Sequence, residues 1–168
     1  MKTAIVTGAS GFIGHWLVRA LVQSGEDVIA VVRPGGCVEQ LEKEPRVRIV
    51  ECDMHEYGKL PALVGIKNPS VFYHLAWTGL IGPSRSDPTI QLGNAETAGQ
   101  AVQAAIEIGC SRFVGVGSLR EYEALAELDA DRLEVGPSCI YGEGKHFARF
   151  YTKALASQAG VLPYRFFS

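Results

Sequence analysis

Six short apolar strands alternating with helical stretches predict an α/β protein, a doubly wound parallel sheet within one domain of 168 residues. Three observations carry that prediction. Apolar, β-branched runs recur along the chain, separated by longer segments whose apolar residues fall at helical spacing. The runs are apolar throughout rather than alternating, as expected of strands covered on both faces. A glycine-rich turn, "TGASGFIG", joins the first run to the first helical segment. Strands and helices in this order imply parallel pairing through right-handed crossovers.

The predicted strands are Thr3–Thr7, Val28–Arg33, Arg48–Cys52, Val71–Ala76, Phe113–Gly117 and Pro163–Phe167. Between the first two, Ile13, Leu17, Ala20 and Leu21 mark one helix face, and Gly25 supplies the stop. Between the fourth and fifth, Ala98, Val102, Ala105 and Ile106 do the same, closed by Gly109. Asn94 is read as the start and cap of that helix rather than as a proton relay. The last segment, "VLPYRFFS", reads as a strand without a covering helix, so the expectation is the N-terminal part of a longer protein.

Composition excludes several function classes. With 47% hydrophobic and 20% charged residues and a net charge of −2, the chain has no electrostatic footprint for nucleic acid or an anionic membrane. No apolar run is long enough to cross a bilayer, and "MKTAIVTG" enters a strand directly, without the pattern of a signal peptide. The cysteines Cys37, Cys52, Cys110 and Cys139 form no C-x-x-C pair. They read as reduced thiols of a cytoplasmic protein, with no metal site.

The turn after the first strand places glycines at Gly8, Gly11 and Gly14. Such glycines permit a tight turn, close backbone approach to a pyrophosphate, and close packing of helix on strand. The helix N-terminus then presents unpaired N–H groups and positive partial charge to phosphates. Strand, turn and helix in this order point to dinucleotide binding.

"TGASGFIG" resembles the T-G-x-x-G-x-x-G fingerprint of the extended short-chain dehydrogenase/reductase superfamily, which includes NAD(P)-dependent nucleotide-sugar epimerases and dehydratases. Further motifs follow in the family's order. "ECDM" matches the acid after strand three, Asp53, with Met54 beside it; "YHLAW" matches the H-L-A-A segment, here Leu75, Ala76 and Trp77. "GNAETAGQAVQAAIEIGCSRFVGVGS" matches the asparagine-started helix and the strand carrying the catalytic serine, Ser118. "YGEGK" matches Y-G-x-S-K, and "YRFF" the sixth strand. The resemblance implies a Rossmann-type fold. It also implies a dinucleotide held by Gly8, Ser10, Gly11, Phe12, Ile13, Gly14, Arg33, Asp53, Met54, Leu75, Ala76, Trp77, Tyr141 and Lys145.

The same resemblance places Tyr141 and Lys145 on a helix beside the nicotinamide. Residues four apart share a helix face, so Lys145 can lie alongside Tyr141. An unperturbed tyrosine has a pKa of about 10, and a neighbouring ammonium favours its phenolate. Tyr141 can then exchange a proton with a substrate hydroxyl as hydride moves, while Ser118 fixes the same oxygen. His74 reads as a structural strand residue near the cofactor, His146 as facing elsewhere, and Cys139 as a packed thiol. Arg120 and Glu121 read either as substrate contacts or as solvated loop charges. Gly144 costs about 1 kcal/mol of helix propensity.

Two departures from the family pattern narrow the reading. The acid that usually ends strand two is replaced by Val32, followed by Arg33, which favours NADP over NAD. The Asp-Glu that follows the catalytic residue in 4,6-dehydratases is Leu119–Arg120 here, which favours epimerisation or carbonyl reduction over elimination. The expected substrate is a nucleotide-linked sugar. The alternatives are a small carbonyl compound reduced by NADPH, or a non-catalytic dinucleotide-binding regulator. The resemblance further implies a homodimer through the helices 94–108 and 141–159.

Overall fold

The computed structural model describes residues 2–122 and 139–160, and the backbone of residues 164–167. Its strands are β1 (Thr3–Thr7), β2 (Asp27–Val32), β3 (Val47–Glu51), β4 (Val71–His74), β5 (Phe113–Val116) and β6 (Tyr164–Phe167). They form one six-stranded sheet in the order β3-β2-β1-β4-β5-β6, every pair parallel. The order reverses at β1, next to β4, which creates a crevice at the carboxyl ends of the strands. The register sets Thr7 opposite Val31 on one side and His74 on the other, so the glycine turn leaves the middle of the sheet.

Alternation along β1 divides the core. Ala4 and Val6 pack with Val28, Ala30 and Val32 against Val18 and Leu21 of helix α1 (Gly14–Gln23). Ile5 points the other way and joins Val31, Phe72 and Phe113 beneath α2 (Leu60–Val64) and α3 (Pro88–Ile108). Successive strand residues face opposite sides, which is why a run apolar throughout is needed here. Helix α4 (Ile140–Ala159) lies against α3 along a seam of small residues, Ala95, Ala98 and Ala148. A Cβ at Gly99 would sit 2.4 Å from the Tyr151 ring. Close approach of the two helices depends on that missing methyl group.

Two sequence expectations are corrected here, and one element is added. Helix α3 starts six residues before Asn94: Asp87 accepts the N–H groups of Thr89 and Ile90, and Pro88 follows at the first helical position. Asn94 is therefore interior. Strand β4 ends at His74 and β5 at Val116, so Leu75–Trp77 and Ser118 stand beyond the sheet rather than on it. A 3₁₀ turn at Met54–Lys59, capped by the Asp53 carboxylate, leads into α2 and has no counterpart in the apolar periodicity. Pro163, the predicted start of the last strand, lies outside the described residues. Among the described residues no helix is long and apolar enough to cross a membrane.

Candidate functional site

Gly8 adopts φ +68°, and a Cβ there would meet the Ala76 backbone nitrogen at 2.7 Å. The Gly11 N–H donates to Gly8 O at 3.0 Å and closes the turn. At Gly14 a Cβ would fall 2.1 Å from the same carbonyl, so helix α1 can begin this close to β1 only with glycine there. The N–H groups of Phe12 and Ile13, ahead of α1, have no hydrogen-bond partner among the described residues. Free donors at a helix N-terminus suit an anion.

Beyond this turn lies a cleft of about 500 Å³ at the carboxyl ends of the strands. The residues predicted to hold the dinucleotide outside the Tyr–Lys pair, from Gly8 to Trp77, line this one cavity. Arg33 stands at its rim, exposed, with no ion pair among the described residues, while Val32 is buried. Asp53 turns its carboxylate to its own backbone, accepting the His55 N–H at 2.9 Å. The Cys52 thiol also faces the cleft, its pKa pushed up by burial and then by Glu56 and Asp53. A dinucleotide fits what is present: a backbone cradle that a Cβ at Gly8 or Gly14 would fill, unpaired donors, and a cleft lined by apolar and polar residues. Among the described residues no three His, Cys, Asp or Glu side chains gather as metal ligands would.

Tyr141 and Lys145 occupy the first turns of α4, both buried. The Lys145 ammonium donates to Val116 O at 3.0 Å, at the end of β5, and lies 3.7 Å from the centre of the Trp77 ring. Burial lowers its pKa to about 7, against the opposing attraction of Glu121. The Tyr141 ring meets Trp77 edge-on at 6.2 Å and carries the Arg85 guanidinium over its face at 4.5 Å. Arg85, Arg120, Cys139 and Tyr141 share a second, smaller pocket of about 270 Å³. Neither member of the Tyr–Lys pair lines the larger cleft; Trp77 and Val116 lie between.

Ser118 Oγ, expected to fix the substrate oxygen, accepts the Arg120 N–H at 3.3 Å, and no hydrogen bond to Tyr141 is formed among the described residues. Glu121, read from sequence as a loop charge or a substrate contact, is fully buried. Its carboxylate accepts the Ser118 N–H at 2.6 Å and pairs with Arg149 at 3.5 Å. Gly142 and Gly144 are contact points: a Cβ would meet Arg120 O at 2.8 Å and the Gln91 Cβ at 3.0 Å, respectively. The propensity cost of Gly144 is thus the condition for α4 to touch α3. His146 packs its ring on Phe150 at 4.6 Å, and Cys139 accepts the Gly142 N–H at 3.4 Å.

Sequence reasoning missed the network that holds this corner together. Asn94 spans the backbone of Thr78, accepting its N–H at 2.9 Å and donating to its carbonyl at 2.8 Å. Gln91, 1% exposed, donates to Gly79 O and Ser84 O and accepts the Trp77 indole N–H at 2.9 Å. The available signal was a pair of amides three apart on an apolar helix. Such residues are kept inside only when every polar atom finds a partner. His74 is buried at the end of β4, 2.8 Å from Thr7 Oγ1, with a pKa lowered by burial to about 3.

Fold and cleft together define a dinucleotide-binding α/β protein of Rossmann type. Its relatives make the class narrower. The model of the "NAD dependent epimerase/dehydratase family" matches residues 4–167, and the chain belongs to that family. A dTDP-6-deoxy-L-talose 4-dehydrogenase (NAD(+)) of Aggregatibacter actinomycetemcomitans is 28% identical over 95% of this chain and 56% of its own length. A ceramide reductase of Caulobacter vibrioides is 33% identical over 83% of this chain and 46% of its own. A UDP-glucose 4-epimerase with UDP-glucose, from Thermotoga maritima, shares the fold with a TM-score of 0.76 at 21% identity, covering 98% of this chain and 54% of that one. The chain thus spans about half the length of the relatives it matches.

Proposed function

We propose that this chain is the cofactor-binding part of an NAD(P)-dependent oxidoreductase or epimerase, acting by hydride transfer on a nucleotide-linked sugar with Ser118, Tyr141 and Lys145 as its site. The observation that carries the reading is Lys145. A buried ammonium stands on the Tyr141 helix where the cleft wall ends, four residues from the phenol. Buried lysines are costly unless they serve a structure or a reaction.

Bound along the cleft, the dinucleotide would accept or return hydride at the substrate carbon. Tyr141 takes the hydroxyl proton in oxidation and returns it in reduction. Lys145 brings a positive charge to the Tyr141 helix and offers N–H donors to the cofactor's ribose. Ser118 orients the substrate oxygen once that oxygen is present. Leu119 and Arg120 supply no acid/base pair for elimination, so epimerisation or reduction is preferred to dehydration. For the cofactor we favour NADP, because Arg33 is a rim cation without an ion pair among the described residues. The family's description and the talose dehydrogenase's name both point to NAD, which makes this preference the part most exposed to test.

The residues that choose the substrate are proposed to lie in the part of such relatives that this chain does not match. A second reading, reduction of a small carbonyl compound, draws support from the ceramide reductase likeness and the missing strand-two acid. A non-catalytic dinucleotide-binding regulator would have no use for a buried Lys145. We also propose a cytoplasmic homodimer formed through α3 and α4, whose outer faces expose Leu92, Phe147 and Phe150. Turnover of nucleotide sugars against small ketones by the full-length protein, with Tyr141→Phe as control, separates the three. Loss of neither activity in that variant would refute the catalytic site.

A further inference from the structure

Trp77 faces two ways. It lines the cleft together with the glycine turn, yet its ring lies 3.7 Å from Lys145 Nζ and edge-on to Tyr141. The indole therefore stands between the cleft and the Tyr–Lys pair. Its place is fixed: the indole N–H donates to Gln91 Oε1, and Gln91 is itself held by Gly79 O at 2.9 Å and Ser84 O at 3.0 Å. The ring also packs against Ala95, Ala98 and Ala148 on α3 and α4.

Lys145 is 5% exposed and has one hydrogen bond among the described residues, to Val116 O. A buried ammonium needs substitutes for the water it has lost. The charged and titratable groups around it are His74 on β4, Glu121 after β5, Tyr141 on its own helix, and Arg85 over the Tyr141 ring. Glu121 attracts it, but that carboxylate is engaged by Arg149 and the Ser118 N–H and makes no ion pair with Lys145. The remaining close partner of the charge is the face of an indole, the ring type that holds cations best.

We propose that Trp77 is the positioning residue of Lys145: clamped by Gln91, its ring face keeps the ammonium charged and held against the Val116 carbonyl at the end of the cleft. The catalytic meaning of that placement rests on the function proposed above, whereas the contact itself does not. The chain has two tryptophans, so Trp16→Phe leaves Trp77 alone as a target for fluorinated tryptophan. Fluorination of the benzo ring weakens the ring face while keeping shape and N–H donor.

The test follows the Lys145 Cε resonance of lysine-labelled chain by NMR from pH 5 to 11, assigned with Lys145→Met. Fluorination is expected to lower the titration midpoint by roughly half to one pH unit. Trp77→Leu should lower it at least as far, with Trp77→Phe between. A midpoint unmoved by fluorination, in protein whose circular dichroism matches the parent, overturns the proposal. NADP+ titration of the unmodified chain tests the functional reading separately. A fluorination-sensitive midpoint without dinucleotide affinity would keep the positioning role and remove the proposed function.

Discussion

The two ends of the candidate site are built from different materials. The glycine turn is made of backbone: Gly8 and Gly14 act through the side chains they lack, at approaches of 2.1–2.9 Å that a Cβ could not tolerate, and Gly11 adds a tight 3.1 Å approach. The Tyr141–Lys145 end is made of buried side chains held by other side chains, through Gln91, Asn94, Glu121 and Arg149. A backbone cradle is specified by a short local pattern. A side-chain constellation is specified by contacts across the fold, so its parts tolerate local rewriting but fail together.

This contrast is broken most sharply by Tyr141→Phe in the full-length protein. It should lower kcat by about 10²–10⁴ with cofactor affinity nearly unchanged, measured by steady-state kinetics beside calorimetry. Normal turnover would leave the side-chain end without a catalytic role. The opposite signature is expected at the backbone end. Gly14→Ala forces a methyl against Gly8 O, and overpacking of about 1–3 kcal/mol should appear as a loss of cofactor affinity of about five- to 150-fold. Unchanged affinity would show that the turn does not seat the ligand.

Smaller effects sharpen the boundary. Arg33→Ala should reduce any preference for NADP over NAD by at most about a hundredfold, the scale of one exposed charge-assisted contact. Equal affinities in the parent chain, unaltered by the substitution, would remove the NADP argument. His74 gives a test that reads stability rather than cofactor or turnover. Its folded pKa of about 3 lies below the ordinary value of 6.5, so below pH 6.5 the unfolded chain binds a proton that the folded chain refuses. Stability should therefore fall as pH drops from 6.5 toward 3, by up to about 1.4 kcal/mol per pH unit from this group. In His74→Asn that part of the slope should vanish from urea melts. A parallel slope in parent and variant would mean that His74 is not held neutral.

What the sequence made legible follows the same division. Apolar runs placed the strands within a few residues, because a sheet covered on both faces leaves little choice of residue. The glycine turn could be read for the same local reason. That Tyr141 and Lys145 share a helix came from the family resemblance rather than from the local pattern, and both lie in the first turns of α4. The start of α3 was misplaced because Asn94 looked like a cap, whereas Pro88 and Asp87 carry the stronger signal and Asn94 works across the fold. Glu121 could not be recognised as buried, since its partner Arg149 lies 28 residues further along. Nor does any local pattern show that Trp77 would rest on Lys145. Long-range pairing of polar groups leaves no periodicity to read.

Gln91 closes a loop at its base. Its amide nitrogen joins Gly79 O and Ser84 O, while the tip between them exposes Leu80 and Ile81, the latter 82% accessible. A loop fastened at the neck can change length at the tip without disturbing what the neck supports. In evolutionary terms, insertions at 80–83 would alter what approaches Tyr141, because the Leu80 carbonyl accepts the Arg85 guanidinium that covers the phenol ring, while Trp77 and Lys145 keep their own anchors on Gln91 and Val116. For an engineer, a new recognition loop there would act on Tyr141 through Arg85, whereas any residue at 91 that cannot donate twice would loosen Trp77 itself.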